Sequence, residues 1–207
     1  VVLSESAISV AENGANATYT IVLDAEPQTP LTVNLANSAS SEISISPTVL
    51  DFTSVNWDLE QTVTVLAVDD DRVESLAEVT ITHSVVISDT DYEWTGEFSP
   101  SEDLTVRVYD NDEAGILIST SALYINEAGI GTYTVELMGS PSSNVQVTVA
   151  ASNGYVTATT SPLTFTPGSW SDAQTVTING VDDNIQVAES YTATISHTAS
   201  SSDPLFD

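Results

Sequence analysis

The chain has 207 residues, enough for one large domain or two of ordinary size, and its 41% hydrophobic content suffices to build cores. Its 30 acidic side chains face two basic ones, Arg72 and Arg107, for a formal charge of −28; such a surface repels nucleic acid and anionic lipid headgroups, whose attraction to proteins depends on Lys and Arg. There is no cysteine, which excludes disulfides, Cys-based zinc sites and thiol catalysis, and no apolar run approaches the ~20 residues of a membrane span.

The chain opens on a strand-like "VVLS" without a methionine or a visible signal peptide, and reads as a segment of something longer. From there apolar residues alternate with polar ones at period two, the mark of half-buried strands. Tyr19, Ile21 and Leu23 share a face, then Leu31, Val33 and Leu35, Val63 and Val65, Val79 and Ile81, and Leu104, Val106 and Val108. Turn-forming stretches such as "ENGAN", "EPQTP", "SISP" and "SPSED" separate these runs, and nothing shows helical spacing.

The pattern then repeats. "LSESAISVAENG" at 3–14 returns as "ISTSALYINEAG" at 118–129, and "TYTIVL" at 18–23 as "TYTVEL" at 132–137. "LDFTSVNWDLEQTVTVLAVDDD" at 50–71 returns as "LTFTPGSWSDAQTVTINGVDDN" at 163–184, and "TITHS" at 80–84 as "TISHT" at 194–198. The expected organisation is two tandem all-β, immunoglobulin-like antiparallel sandwiches, over 1–113 and 114–207. The second copy has no counterpart of 94–112, the segment carrying the last strand of the first. A sandwich without that strand exposes a sheet edge. Truncation, continuation beyond Asp207, or a strand donated by a neighbour would each account for it, donation being the least simple.

Acidic residues recur where loops of a sandwich can gather at one pole. Glu12 follows the first alternating run, Asp69, Asp70, Asp71 and Glu74 follow "QTVTVL", and Asp110, Asp112 and Glu113 follow "LTVRVY". Successive side chains on a strand point to opposite faces, so three consecutive aspartates converge only where the strand has ended. Two like charges about 4 Å apart repel by ~1 kcal/mol in water and ~4 kcal/mol at an effective dielectric near 20. A divalent cation reverses that sign. Calcium takes about six to eight oxygens in flexible geometry, whereas magnesium keeps a tight octahedron and zinc favours nitrogen or sulfur. Calcium is the expected ion.

The combination of "VAENG", "TVTVLAVDDDRVE" and "VRVYDND" resembles Calx-β domains, and "LTFTPGSWSDAQTVTINGVDDN" fits the same pattern. The resemblance implies that Glu12, Asp69, Asp70, Asp71, Glu74, Asp110 and Asp112 bind Ca2+ at one pole, Glu113 being added on charge and position. In the second copy it implies Glu127, Asp182, Asp183 and Glu189, a weaker or empty site, because Asn184 replaces Asp71 and the closing acids are missing. The family's frequent "DY" segment ahead of "TFTPG" is also absent.

The equivalent Trp57 and Trp170, with Trp94 and Tyr92, read as packing rather than sugar-stacking residues. His83 and His197 match one another and read as structural. No nucleophile triad, phosphate loop or "HExxH" occurs, so no catalysis is expected. "NAT" places a glycosylation sequon at Asn16. The leading expectation is a calcium-stiffened repeat of a large extracellular adhesin or surface filament. Its expected partners are neighbouring repeats, with glycans or cell-surface proteins beside them, and neither nucleic acid nor membrane insertion. The alternatives are a calcium sensor of a transporter or signalling protein, or carbohydrate recognition.

Overall fold

The computed structural model describes residues 1–87, 103–182 and 190–207. These are all-β, with no helix among them, and divide into two compact units. The first comprises Val1–Asp70 and Glu74–Asn111, and the second Asp71–Val73 and Asp112–Asp207.

In the first unit nine strands follow the alternating runs: β1 (Val2–Leu3), β2 (Ala7–Ala11), β3 (Ala17–Val22), β4 (Leu31–Asn37), β5 (Ile43–Ser46), β6 (Val49–Phe52), β7 (Gln61–Ala67), β8 (Ala77–Ile87) and β9 (Leu104–Tyr109). They form a four-stranded sheet, β1-β3-β7-β5, and a five-stranded sheet, β2-β9-β8-β4-β6. The inward residues of both sheets make one core: Tyr19, Ile21, Val33, Phe52, Val63, Val65, Ile81, Leu104 and Val106 are all essentially inaccessible. Their polar neighbours on each strand face outward, as period-two side-chain geometry requires. Pairing is antiparallel except between β2 and β9, which run parallel, with Ile8 opposite Val106 and Val10 opposite Val108. The alternation does not distinguish the two directions.

The second unit repeats this plan with β10 (Ile116–Ile118), β11 (Ile130–Leu137), β12 (Val145–Ala151), β13 (Val156–Ala158), β14 (Leu163–Phe165), β15 (Gln174–Gly180) and β16 (Ile195–Ser201). The sheet β10-β11-β15-β13 matches β1-β3-β7-β5 strand for strand. The other sheet is reduced to three strands, β14-β12-β16, which match β6, β4 and β8. No strand among the described residues stands where β9 does in the first unit. Residues 122–126, the sequence counterparts of β2, lie outside any strand.

The equivalent histidines are core anchors. The Tyr19 hydroxyl and His83 Nε2 are hydrogen-bonded at 2.9 Å, and Tyr133 and His197 repeat the pair at 2.7 Å. Trp57 and Trp170 are partly buried against their own cores, and their carbonyls accept the amides of Leu23 and Leu137. Trp94 and Tyr92 lie outside the described residues.

Candidate metal centre

The acidic pole of the first unit is built where two parallel strands end side by side. β2 finishes at Ala11 and β9 at Tyr109, residues that are register partners, so the next residues, Glu12 and Asp110, emerge together. The Glu12 amide donates to the Tyr109 carbonyl at 3.0 Å, carrying the ladder one step further. The chain then turns: Asn13 adopts a left-handed backbone with φ 51°, and the Gly14 amide donates to Ala11 O at 3.0 Å. A Cβ on Gly14 would stand 2.8 Å from that same carbonyl, so the tightness of the turn requires glycine. The equivalent turn in the second unit carries Ala128 at φ 53° before Gly129.

One carboxylate oxygen from each of Glu12, Asp110 and Asp112 lies within 4.8 Å of the others. Glu12 is buried, at 6% exposure, and the other two are half-buried. Its carboxyl is pushed up to about 7, first by burial and then by the negative charges of Asp110 and Asp70, with the Asn111 amide opposing. Glu12 Oε2 is buried and has no hydrogen-bond partner among the described residues. A buried acceptor in that state costs about 1–3 kcal/mol. It is the kind of atom a bound cation satisfies, and the all-oxygen donor set suits a hard ion such as calcium. The residues present therefore fit the ion expected from the sequence.

The loop after β7 is tied to this pole by two hydrogen bonds. The Asn111 side-chain amide donates to Asp69 Oδ1 at 2.8 Å, and the Glu74 backbone amide donates to Asp110 Oδ2. Asp70 is close enough to Glu12 to raise its proton affinity. Asp71 and Glu113 are exposed and outside the three-residue cluster. The Asp71 carbonyl instead accepts the Ser140 amide at 2.7 Å within the second unit, and Val73 joins that unit's core. Asn111 itself carries no charge and was not singled out in the sequence; its only signal is its place between two aspartates in "DND".

In the second unit Glu127 and Asp182 are exposed and belong to no three-residue acidic cluster among the described residues. Asp183 and Glu189 lie outside the described residues. Asn16 is exposed, as a glycosylated side chain requires. The second unit also holds a buried carboxylate that sequence reading missed, Asp203, at 2% exposure. Its Oδ2 accepts the Ser142 amide at 2.7 Å and hydroxyl at 2.8 Å, and its Oδ1 accepts the Leu205 amide at 3.0 Å. Burial alone would raise its pKa, but these hydrogen bonds and the charge of Arg72 outweigh it and hold the group below its ordinary value.

No protein-family model matches the chain, and no curated protein matches it. Solved structures that align with the chain include the crystal structure of CBD12 from CALX1.2, at 17% identity and TM-score 0.39 over 93% of this chain and 77% of that one. The calcium binding domain CBD12 of CALX1.1 aligns at 17% identity and TM-score 0.40, over 88% and 77%. The E. coli chaperone DraB aligns at 8% identity and TM-score 0.39, over 88% and 86%. Likeness of this order assigns neither family nor function.

Proposed function

We infer that the chain is a non-catalytic, calcium-binding pair of Calx-β-like modules from a large extracellular adhesin or surface filament. The observation that carries the calcium reading is the convergence of Glu12, Asp110 and Asp112 around the partnerless Glu12 oxygen. The Asp69–Asn111 and Glu74–Asp110 hydrogen bonds support it, since they hold the loop after β7 against the end of β9. The motifs "VAENG", "VDDDRVE" and "YDND" supply the family resemblance. Bound calcium would neutralise the acids and fix the end of β9. Only Ala114 and Gly115 separate the last acid, Glu113, from β10, so an ion held by Asp110 and Asp112 restrains the backbone at that link. Stiffening between neighbouring repeats is the proposed role, with further repeats as the nearest partners and the cell surface as the setting.

Calorimetric titration of calcium into the chain, paired with small-angle scattering with and without chelator, tests this. The expected outcome is saturable binding at high-micromolar to millimolar Kd, roughly 10⁻⁴–10⁻³ M, as in extracellular modules, and a more extended profile with the ion bound. Binding near 10⁻⁷ M would point to a sensor instead. An unchanged heat signal and scattering profile would remove the calcium reading altogether.

A further inference from the structure

Three Asn–Gly pairs occur in the chain, Asn13–Gly14, Asn153–Gly154 and Asn179–Gly180. Such a pair can attack itself. The glycine nitrogen is bonded to the asparagine carbonyl carbon and, with no Cβ on its own residue to hinder the turn, can swing onto the side-chain amide carbon Cγ. The fold decides which of the three does so, because the reaction needs a released glycine N–H and a backbone that can turn.

Two of the pairs are locked. In the turn after β2 the Gly14 amide donates to Ala11 O, and Asn13 is held at φ 51°. Asn179 lies on β15, in register with Ile130 on one side and Thr157 on the other, so two strands clamp its backbone. The Gly180 amide donates to Gly129 O at 2.9 Å, and a Cβ there would run into Asn126 O. Neither glycine nitrogen moves without breaking a hydrogen bond of the fold.

Asn153–Gly154, in the turn between β12 and β13, is arranged otherwise. Gly154 is exposed, its amide donates to no acceptor among the described residues, and a Cβ on it would meet nothing within 4 Å. The exposure belongs to the turn itself: Ser40 and Ser41, in the corresponding turn of the first unit between β4 and β5, are exposed too. The Asn153 side chain is already folded back on its own turn. Its Oδ1 accepts the Tyr155 amide at 3.2 Å, closing a ring that contains both Asn153 Cγ and the Gly154 nitrogen. An N–H therefore faces the oxygen on which negative charge grows when Cγ is attacked. Asn153 Nδ2 donates to Thr192 O at 3.0 Å, tying this turn to the segment before β16.

We propose that Asn153 is a site of spontaneous covalent modification in the folded protein, a deamidation that needs only water. The Gly154 nitrogen bonds to Asn153 Cγ as the Cγ–Nδ2 bond breaks, and Nδ2 leaves as ammonia with the proton of the Gly154 amide. Water then opens the cyclic imide at either carbonyl, giving aspartate or isoaspartate. Either product puts a carboxylate where the donor to Thr192 O stood. The turn loses that tie, and a negative charge is added to a chain already at −28.

The test ages the 207-residue chain in oxygen-18 water at mildly alkaline pH, cuts it with a glutamate-specific protease and reads each Asn–Gly pair by mass spectrometry. The proposal expects oxygen-18 to enter at Asn153 first, as isoaspartate and aspartate. The rate there should exceed those at Asn13 and Asn179 at least about tenfold, because an exposed turn opens far more readily than paired backbone. In urea the three rates should converge. Gly154→Ala, for which the turn has room, should slow conversion at Asn153 at least about tenfold by hindering the attacking nitrogen. Asn153→Asp, one of the two products, should show faster amide exchange at Thr194 than the parent chain. Equal native rates at the three pairs, conversion at Asn153 only in urea, or a Gly154→Ala chain that converts as fast as the parent would each overturn the proposal. Unchanged exchange in Asn153→Asp would overturn the loss of the tie.

Discussion

Two buried carboxylates shape how the protein responds to pH, and they do so with opposite signs. Glu12 has its pKa raised from 4.5 to about 7, so the folded state holds the proton more tightly than the unfolded chain does. Ion-free stability of the first unit therefore falls as pH rises from about 4.5 to about 7, by up to about 3 kcal/mol. Glu12→Gln should abolish that slope in chelator, read by urea unfolding at several pH values, and should weaken calcium binding at least about tenfold. An unchanged slope would show that Glu12 is solvated. Asp203 is the reverse case: its pKa is lowered, so its contribution is present above the ordinary carboxylate value and is lost as pH falls below it. Asp203→Asn places an amide against the Ser142 amide and should cost about 1–3 kcal/mol at pH 7, with less acid sensitivity in the second unit. Glu12 and Asp110 were legible in the sequence because each directly follows an alternating run. The bonds of Asn111 and Asp203 were not, because they depend on which distant loops meet, and nothing local in "DND" or "SSDP" marks a hydrogen-bond partner.

At the level of strands, β9 serves both the core and the acidic pole of the first unit. It carries Leu104 and Val106, both fully buried, and delivers Asp110 to the pole. Leu104→Ala should destabilise that unit by ~2–5 kcal/mol and weaken calcium binding with it. A thermal melt monitored with and without calcium checks both, and loss of only one would separate packing from ligation. Alternation marked most strands correctly, since a period-two apolar stripe has one stable use, burial against a second sheet. It could not give the direction of the β2–β9 pair, which has the same side-chain pattern either way. It also favoured a strand at 122–126, where "ALYIN" alternates like "AISVA". Strand structure needs a neighbour's backbone groups, and among the described residues no strand pairs with 122–126.

For the whole molecule, the sequence made the tandem organisation and the acidic surface plain. The first unit carries a five-stranded sheet together with Glu12 and Asp110, while the second has a three-stranded sheet beside its four-stranded one among the described residues. A further consequence lies in the scarcity of basic residues. A trypsin-like protease finds only the bonds after Arg72 and Arg107. Each is followed by a buried valine, Val73 in the second unit's core and Val108 in the first's. Each bond is expected to resist cutting while its valine stays in place, and when opening is fast the cutting rate follows the open population. The two nicks thus time the opening of the two modules separately, and calcium should slow the cut after Arg107, beside β9's last turn into the acidic pole. Equal rates of that cut with and without the ion would argue against any hold on the strand.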